Sequence, residues 1–298
     1  MYEKFYGFKE KPFSLLPDPA YFYNSRQHSA ALTMFEYGLH NQAGFTVITG
    51  GIGCGKTTLV HYLIERLQSD ITLGLINNTH ESFGDVLQWV LLAFGLDYSG
   101  KEKIDRYQTL TNFLTQEKQK NKRCILVVDE AQNLGPQTLE ELRMLSNVNV
   151  GKDQLLQLVL LGQPELLEIL RRPDLYQLAQ RVVADYFIGP LSFEETHAYI
   201  RHRVSVAGGT LPLFTDAACD AIYRYSKKGI PRLINLICDT ALVYGYGAQE
   251  KIISEDLVHE VLKDKTEGRR IWRRRKHAQN RQGPELVISD GLFRKPKN

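Results

Sequence analysis

Five runs of mostly apolar residues mark the chain up to residue 188: Thr46-Val-Ile-Thr49, Ile71–Ile76, Cys124–Val128, Leu155–Leu161 and Ala184–Ile188. They are too short for isolated helices, and most do not alternate with polar residues. Such runs predict strands of a parallel sheet covered on both faces. Between them, apolar positions recur every three or four residues, as on one face of a helix. The spacing predicts helices from Ser25 to His40, with Ala30, Met34, Tyr37 and Gly38 on one side, and from Lys56 to about Gln68, with Leu59, Val60, Leu63 and Leu67 inward. Ser82-Phe-Gly-Asp85 reads as a capping box for a helix through Phe94, and Asp105-Arg-Tyr-Gln108 starts another through Gln119, with Tyr107, Leu110, Phe113 and Leu114 buried. Pro136 suits the first position of a helix carrying Leu139, Leu142 and Leu145. Strand and helix in alternation predict an α/β fold.

From Leu191 the pattern contains helices only. Ser192-Phe-Glu-Glu195 caps one to about Ala207, Thr215-Asp216 opens one to Ser226, Pro231 opens one to about Tyr244, and Ser254 caps one to Lys263. At the other end, Phe5 to Phe13, Leu16-Pro-Asp-Pro19 and Tyr21-Phe-Tyr23 concentrate aromatics and prolines before the first strand. They predict a fixed, extended arm, which either packs over a sheet edge or closes over a flat apolar ring of a ligand. The expected division is residues 1–190 as core with arm, 191–264 as helical lid, and 265–298 as a basic tail.

The first strand runs into Gly50-Gly-Ile-Gly-Cys-Gly-Lys-Thr-Thr58 and then into a helix. Gly50 and Gly55 fit the spacing G-x-x-x-x-G-K-[ST], and Gly51 and Gly53 lie between them. A backbone this free can fold back and aim the N–H groups of Gly51, Gly53, Cys54, Gly55 and Thr58 at one anion. Lys56 can then reach the β- and γ-phosphates of ATP, and the Thr57 hydroxyl can take a place on Mg²⁺ at the positive end of the helix. The third strand ends in Asp129 and Glu130, carboxylates that would be costly to bury without a cation beside them. Asp129 is placed to hold Mg²⁺ directly or through water, and Glu130 to polarise an attacking water. The fold expected is therefore a P-loop NTPase with a parallel αβα core and a small all-helical lid.

Composition narrows the classes. Of 298 residues, 43% are apolar and 24% charged, which suits a globular chain. Cys54, Cys124, Cys219 and Cys238 form no C-x-x-C pair, so reduced thiols and a cytoplasmic setting are expected. The sequence contains no run of about 18 uncharged apolar residues, so no membrane span is expected. From Lys263 onward there are 12 Lys and Arg against 4 Asp and Glu, a surplus of eight. Since the whole chain carries +3, residues 1–262 carry −5. Arg269-Arg270-Ile-Trp-Arg-Arg-Arg-Lys276 is either solvated or able to contact DNA or anionic lipid.

Phe13, Pro17-Asp-Pro19 and Tyr23, the P-loop with two internal glycines, Asp129-Glu-Ala-Gln132 and Leu161-Gly-Gln-Pro164 together resemble the AAA+ ATPases of the ExeA type over about residues 1–265. These are the cytoplasmic ATPase domains of general secretion pathway component A. Related ATPases occur in pilus and exopolysaccharide gene clusters and beside transposases. The resemblance implies ATP hydrolysis with Mg²⁺, homo-oligomers with shared active sites, and a protein partner in an export or transposition machinery. It implies a γ-phosphate sensor at Gln163 and an arginine finger at Arg181, with Arg171 or Arg172 as the alternative. Gly229-Ile-Pro-Arg232 resembles sensor 2, and Arg232 in a helix's first turn is poorly placed unless a phosphate lies beside it. The secretion ATPases continue into a transmembrane helix and a cell-wall-binding domain. This sequence shows neither, so those functions are not carried over.

Overall fold

A computed structural model describes residues 1–41, 44–66, 70–77, 84–150, 153–210 and 212–264. The expectations for Leu67, Ser82 and the basic segment 265–298 lie outside them. Five parallel strands form the central sheet: β1 (Phe45–Gly50), β2 (Ile71–Ile76), β3 (Arg123–Val128), β4 (Leu156–Gly162) and β5 (Val182–Ile188). Their spatial order is β2-β3-β4-β1-β5. All the residues of β1 and β4 are buried, as central strands between two helical layers require. β5 lies at an edge, with Ala184 and Ile188 inward and Val183 and Phe187 about half exposed. This is the P-loop NTPase arrangement, with its chemistry expected at the carboxyl ends of the strands.

The helices follow the sequence pattern with two local corrections and one change of face. α1 (Arg26–His40) starts where the Ser25 side chain accepts the His28 N–H. Its buried residues are His28, Ala31, Phe35, Gly38 and Leu39; of the predicted side Ala30, Met34, Tyr37 and Gly38, only Gly38 is buried, and Tyr37 is 51% exposed. Both stripes have helical spacing, so periodicity could not choose between them. Tertiary packing does: Ala31, Phe35 and Leu39 join Ile48, Leu59 and Ile188 in one core. α2 (Lys56–Ile64) buries Leu59, Val60 and Leu63. α3 (Val86–Ala93) begins after Asp85, whose carboxylate accepts the Leu87 N–H and caps it. α4 (Lys103–Gln119) starts two residues before Asp105; Leu110 and Leu114 are buried, whereas Tyr107 is 45% exposed. α5 (Pro136–Leu145) buries Leu139, Leu142 and Leu145 as predicted.

Four further helices form the lid: α6 (Phe193–Val206), α7 (Asp216–Tyr225), α8 (Pro231–Gly247) and α9 (255–264). The Ser192–Glu195 capping box is formed in both directions. The arm is not extended throughout, because Glu3–Tyr6 is a helical turn and Pro19–Tyr21 a 3₁₀ turn. Most of its aromatic side chains pack on the lid, while Phe22 joins the core that holds Ile188 of β5. Tyr2, Tyr6, Phe8, Phe13 and Tyr21 share one core with Ile200, Val204, Ile234 and Leu242 of the lid. Arg203 ties the two together from within, at 6% exposure. Its guanidinium donates to the carbonyls of Pro12 (2.5 Å) and Ser14 (3.4 Å) and to the Tyr199 hydroxyl (3.0 Å), and sits 4.6 Å above the Tyr21 ring. A buried cation needs such partners to offset its lost hydration.

Candidate nucleotide site

The carboxyl ends of β1, β3 and β4 lie side by side and deliver the loop 50–57, Asp129–Glu130 and Gln163 to one place. Two glycines in the loop have no substitute. Gly53 (φ +81°) and Gly55 (φ +94°) are left-handed, and an added Cβ would come within 2.5 Å of the Arg232 Cβ and 2.8 Å of His28 Nε2 respectively. Beneath the loop, His28 Nε2 lies 3.0 Å from the Cys54 carbonyl oxygen and Nδ1 lies 2.7 Å from Ser25 Oγ. A carbonyl only accepts, so Nε2 carries the proton and the Ser25 hydroxyl donates to Nδ1. Burial holds the His28 imidazole below its ordinary pKa, partly opposed by the Cys54 hydrogen bond. Cys54 itself is buried, and desolvation pushes its thiol up, so it acts as packing.

Lys56 is 5% exposed, and its ammonium donates to the carbonyls of Gly50 (2.9 Å) and Gly51 (3.2 Å). Both partners are neutral. A buried cation held this way at a helix N-terminus favours an incoming anion. The Thr57 hydroxyl donates to Asp129 Oδ2 at 2.7 Å, which leaves its lone pairs turned outward, and Asp129 Oδ1 accepts the Glu130 N–H at 2.8 Å. Glu130 has φ +52°, rare for a residue with a side chain. Its carboxylate Oε2 accepts from Gln132 Nε2 at 2.6 Å and from Gln163 Nε2 at 3.1 Å.

The lid and the arm close the cleft around these groups. Arg232 donates its backbone N–H to the Gly53 carbonyl at 3.1 Å, and its side chain is exposed along the cleft. Leu191, Tyr199 and Asn235 from the lid and Ser14 to Asp18 and Tyr21 to Tyr23 from the arm complete the walls. The arm thus serves both as packing for the lid and as lining for the cleft. Phe22 is already occupied, stacked on Tyr62 at 4.0 Å.

Arg181 does not join this group. It precedes Val182, the partner of Phe45 at the start of β1, whereas the loop follows the far end of the same strand. Its guanidinium donates to Ser146 Oγ at 3.0 Å. Arg171 is exposed and Arg172 pairs with Asp174, so neither reaches the cleft. Sequence reading missed His28, Gln132 and Arg203. For Arg203 a signal existed: it falls on the stripe Thr196, Tyr199, Ile200, Val204, where an arginine interrupts a core face.

The residues fit a nucleotide triphosphate and Mg²⁺ on their own chemistry. The loop is shaped so that side chains are excluded at Gly53 and Gly55, the cation at its centre has only neutral partners, and Thr57 with Asp129 offers the hard oxygens that Mg²⁺ takes.

Comparison with known proteins agrees with that geometry. Residues 39–170 match the family model described as AAA domain. Over 259 residues, 86% of its length, the chain is 41% identical to General secretion pathway protein A of Aeromonas hydrophila, of which it spans 47%. Among solved structures, the ORC2 protein of Aeropyrum pernix in its ADPNP-ADP complexes is similar with a TM-score of 0.66 and 16% identity, covering 86% of this chain and 72% of that one. Cdc6p of Pyrobaculum aerophilum is similar with a TM-score of 0.64 and 16% identity, covering 84% and 71%. At that identity the two structures speak for the fold. No helix among the described residues is long and apolar enough to cross a membrane.

Proposed function

For a chain that carries an AAA domain and resembles General secretion pathway protein A across most of its length, we propose Mg²⁺-dependent hydrolysis of ATP to ADP and phosphate by an oligomer. The supporting observation is the continuous chain of contacts from Thr57 through Asp129 and Glu130 to Gln163, set beside a buried Lys56. The triphosphate lies in the loop 50–57, held by backbone N–H groups and Lys56. The base lies between the arm and the lid. Glu130 takes up the proton of the attacking water, while Lys56 and Arg232 offset the negative charge that develops on the γ-phosphate. Gln163 orients the γ-phosphate side of the site. Mg²⁺, held by Thr57 and Asp129, supplies Lewis-acid charge neutralisation.

Arg181 is remote from its own cleft, which suits a finger that acts on a neighbouring subunit. Turnover then requires a homo-oligomer, in the cytoplasm where ATP is available. The resemblance supports a role in driving or regulating assembly of a secretion, pilus or polysaccharide-export complex. The surplus of eight positive charges from Lys263 onward supports a second reading, a DNA-associated regulator of the kind that works with transposases.

Lys56→Ala abolishes ATP binding in this reading, whereas Glu130→Gln keeps it and loses hydrolysis by orders of magnitude. Chelation of Mg²⁺ stops turnover in the unaltered protein. Equal loss of nucleotide affinity in both variants would reject the division of labour.

A further inference from the structure

Gln132 is the link between the end of β4 and the carboxylate of Glu130. Its Oε1 accepts the backbone N–H of Gln163 at 2.9 Å, and its Nε2 donates to Glu130 Oε2 at 2.6 Å. The first contact decides the second. A backbone N–H can only donate, so Oε1 must face Gln163, and the amide hydrogens are left facing Glu130. Turning the amide over would set an N–H against an N–H and an oxygen against a carboxylate. On one side the backbone runs close to the amide, since a Cβ at Gly162 would lie 3.0 Å from Gln132 Oε1.

The backbone at Glu130 adds to this. Its left-handed conformation is strained for a residue with a side chain and persists only where neighbours hold it. Asp129 Oδ1 holds its N–H, and Gln132 and Gln163 hold its carboxylate. Both glutamines donate to the same oxygen, Oε2, but only Gln132 has its amide fixed by a backbone N–H.

Resting on the reading of Glu130 as base, we propose that Gln132 is a positioning residue for hydrolysis: it transmits the position of the Gln163 backbone to Oε2 of Glu130 and so orients the carboxylate. It touches neither the phosphates nor the metal ligands.

The test uses the full chain and compares Gln132→Ala, Gln132→Glu and Glu130→Gln for ATP affinity and for kcat as a function of pH. Gln132→Ala is expected to lower kcat about tenfold or more, as loss of an orienting outer partner does, with ATP affinity within about twofold of the original. Gln132→Glu keeps the acceptor for the Gln163 N–H but sets a second carboxyl against Glu130. It is expected to move the acid limb of the kcat profile upward by about one pH unit or more, because two adjacent carboxyls share a proton. A purely structural role would not move that limb. If Glu130→Gln is inactive while Gln132→Ala and Gln132→Glu both match the original kcat and pH profile, the inference is overturned and the reading of Glu130 survives. If Glu130→Gln retains hydrolysis, the underlying reading of the base fails, and this inference fails with it.

Discussion

His28 in α1 donates through Nε2 to the carbonyl oxygen of Cys54, 26 residues later, and so supports the phosphate loop from below. The ring also packs edge-to-face on Phe22 of the arm, at 5.6 Å between centroids. One buried side chain therefore joins the arm, the first helix and the loop.

That placement makes the protein sensitive to acid. The folded pKa of His28 is lowered, so the unfolded chain binds more protons below the ordinary histidine value of about 6.5, and stability falls as pH drops from there toward the folded pKa. His202 is lowered by burial as well and contributes in the same direction. His28→Gln retains a donor near the Nε2 position without the titration. The expected outcome is a flatter dependence of the urea midpoint on pH between about 6.5 and 5 than in the original chain. Parallel curves would remove His28 from the acid response.

Arg203 holds the arm to the lid. Arg203→Met keeps much of the volume but leaves the carbonyl of Pro12 and the hydroxyl of Tyr199 without their donor. A loss of about 1–3 kcal/mol in unfolding free energy is expected, together with faster proteolysis within residues 1–23. An unchanged denaturation curve with equal protection of the arm would show that its aromatic core suffices.

Arg181 acts in trans in the proposed oligomer. Mixing Arg181→Ala protein with Glu130→Gln protein should restore part of the ATPase rate, because some interfaces then pair an intact Glu130 with an intact Arg181. Mixtures that co-assemble and stay as inactive as either parent would assign the finger elsewhere. Arg181→Ala also removes the bond to Ser146, so its melting temperature is measured beside the rate.

The basic segment separates the two biological readings. Deletion from Glu267 onward should weaken salt-sensitive DNA binding measured by anisotropy, and should lower the salt slope by about 0.9 for each phosphate that the shortened chain no longer neutralises. ATP affinity should not change. Equal slopes for intact and shortened protein would exclude the segment from DNA binding, and binding to anionic vesicles alone would favour the export reading.

The strands, most helix limits and the phosphate loop were legible in the sequence because their signals are local. An unbroken apolar run such as Cys124–Val128 suits a doubly covered strand, and Ser192 with Glu195 states a helix start in four residues. The residues from Gly50 to Thr58, Asp129, Glu130, Gln163 and Arg232 were likewise readable as motifs; Gly53, Gly55 to Thr58, Glu130 and Arg232 line one cleft, and hydrogen bonds tie Asp129 and Gln163 to it. The inward face of α1 was not readable, since two stripes with the same period compete and only the packing of Ala31, Phe35 and Leu39 with Ile48 and Ile188 selects one. His28 and Arg203 carry no motif, and the motif Asp129-Glu-Ala-Gln132 does not state what Gln132 holds. Each acts through a bond to a backbone group or side chain brought near by folding: Cys54 for His28, Gln163 for Gln132, and Pro12 for Arg203, 191 residues away. Sequence alone thus determined the secondary elements and the reactive groups, because covalent neighbours and periodicity encode them. Tertiary structure decided which side chains hold those groups in place, because a hydrogen bond across the fold depends on distance in space, which local sequence does not record.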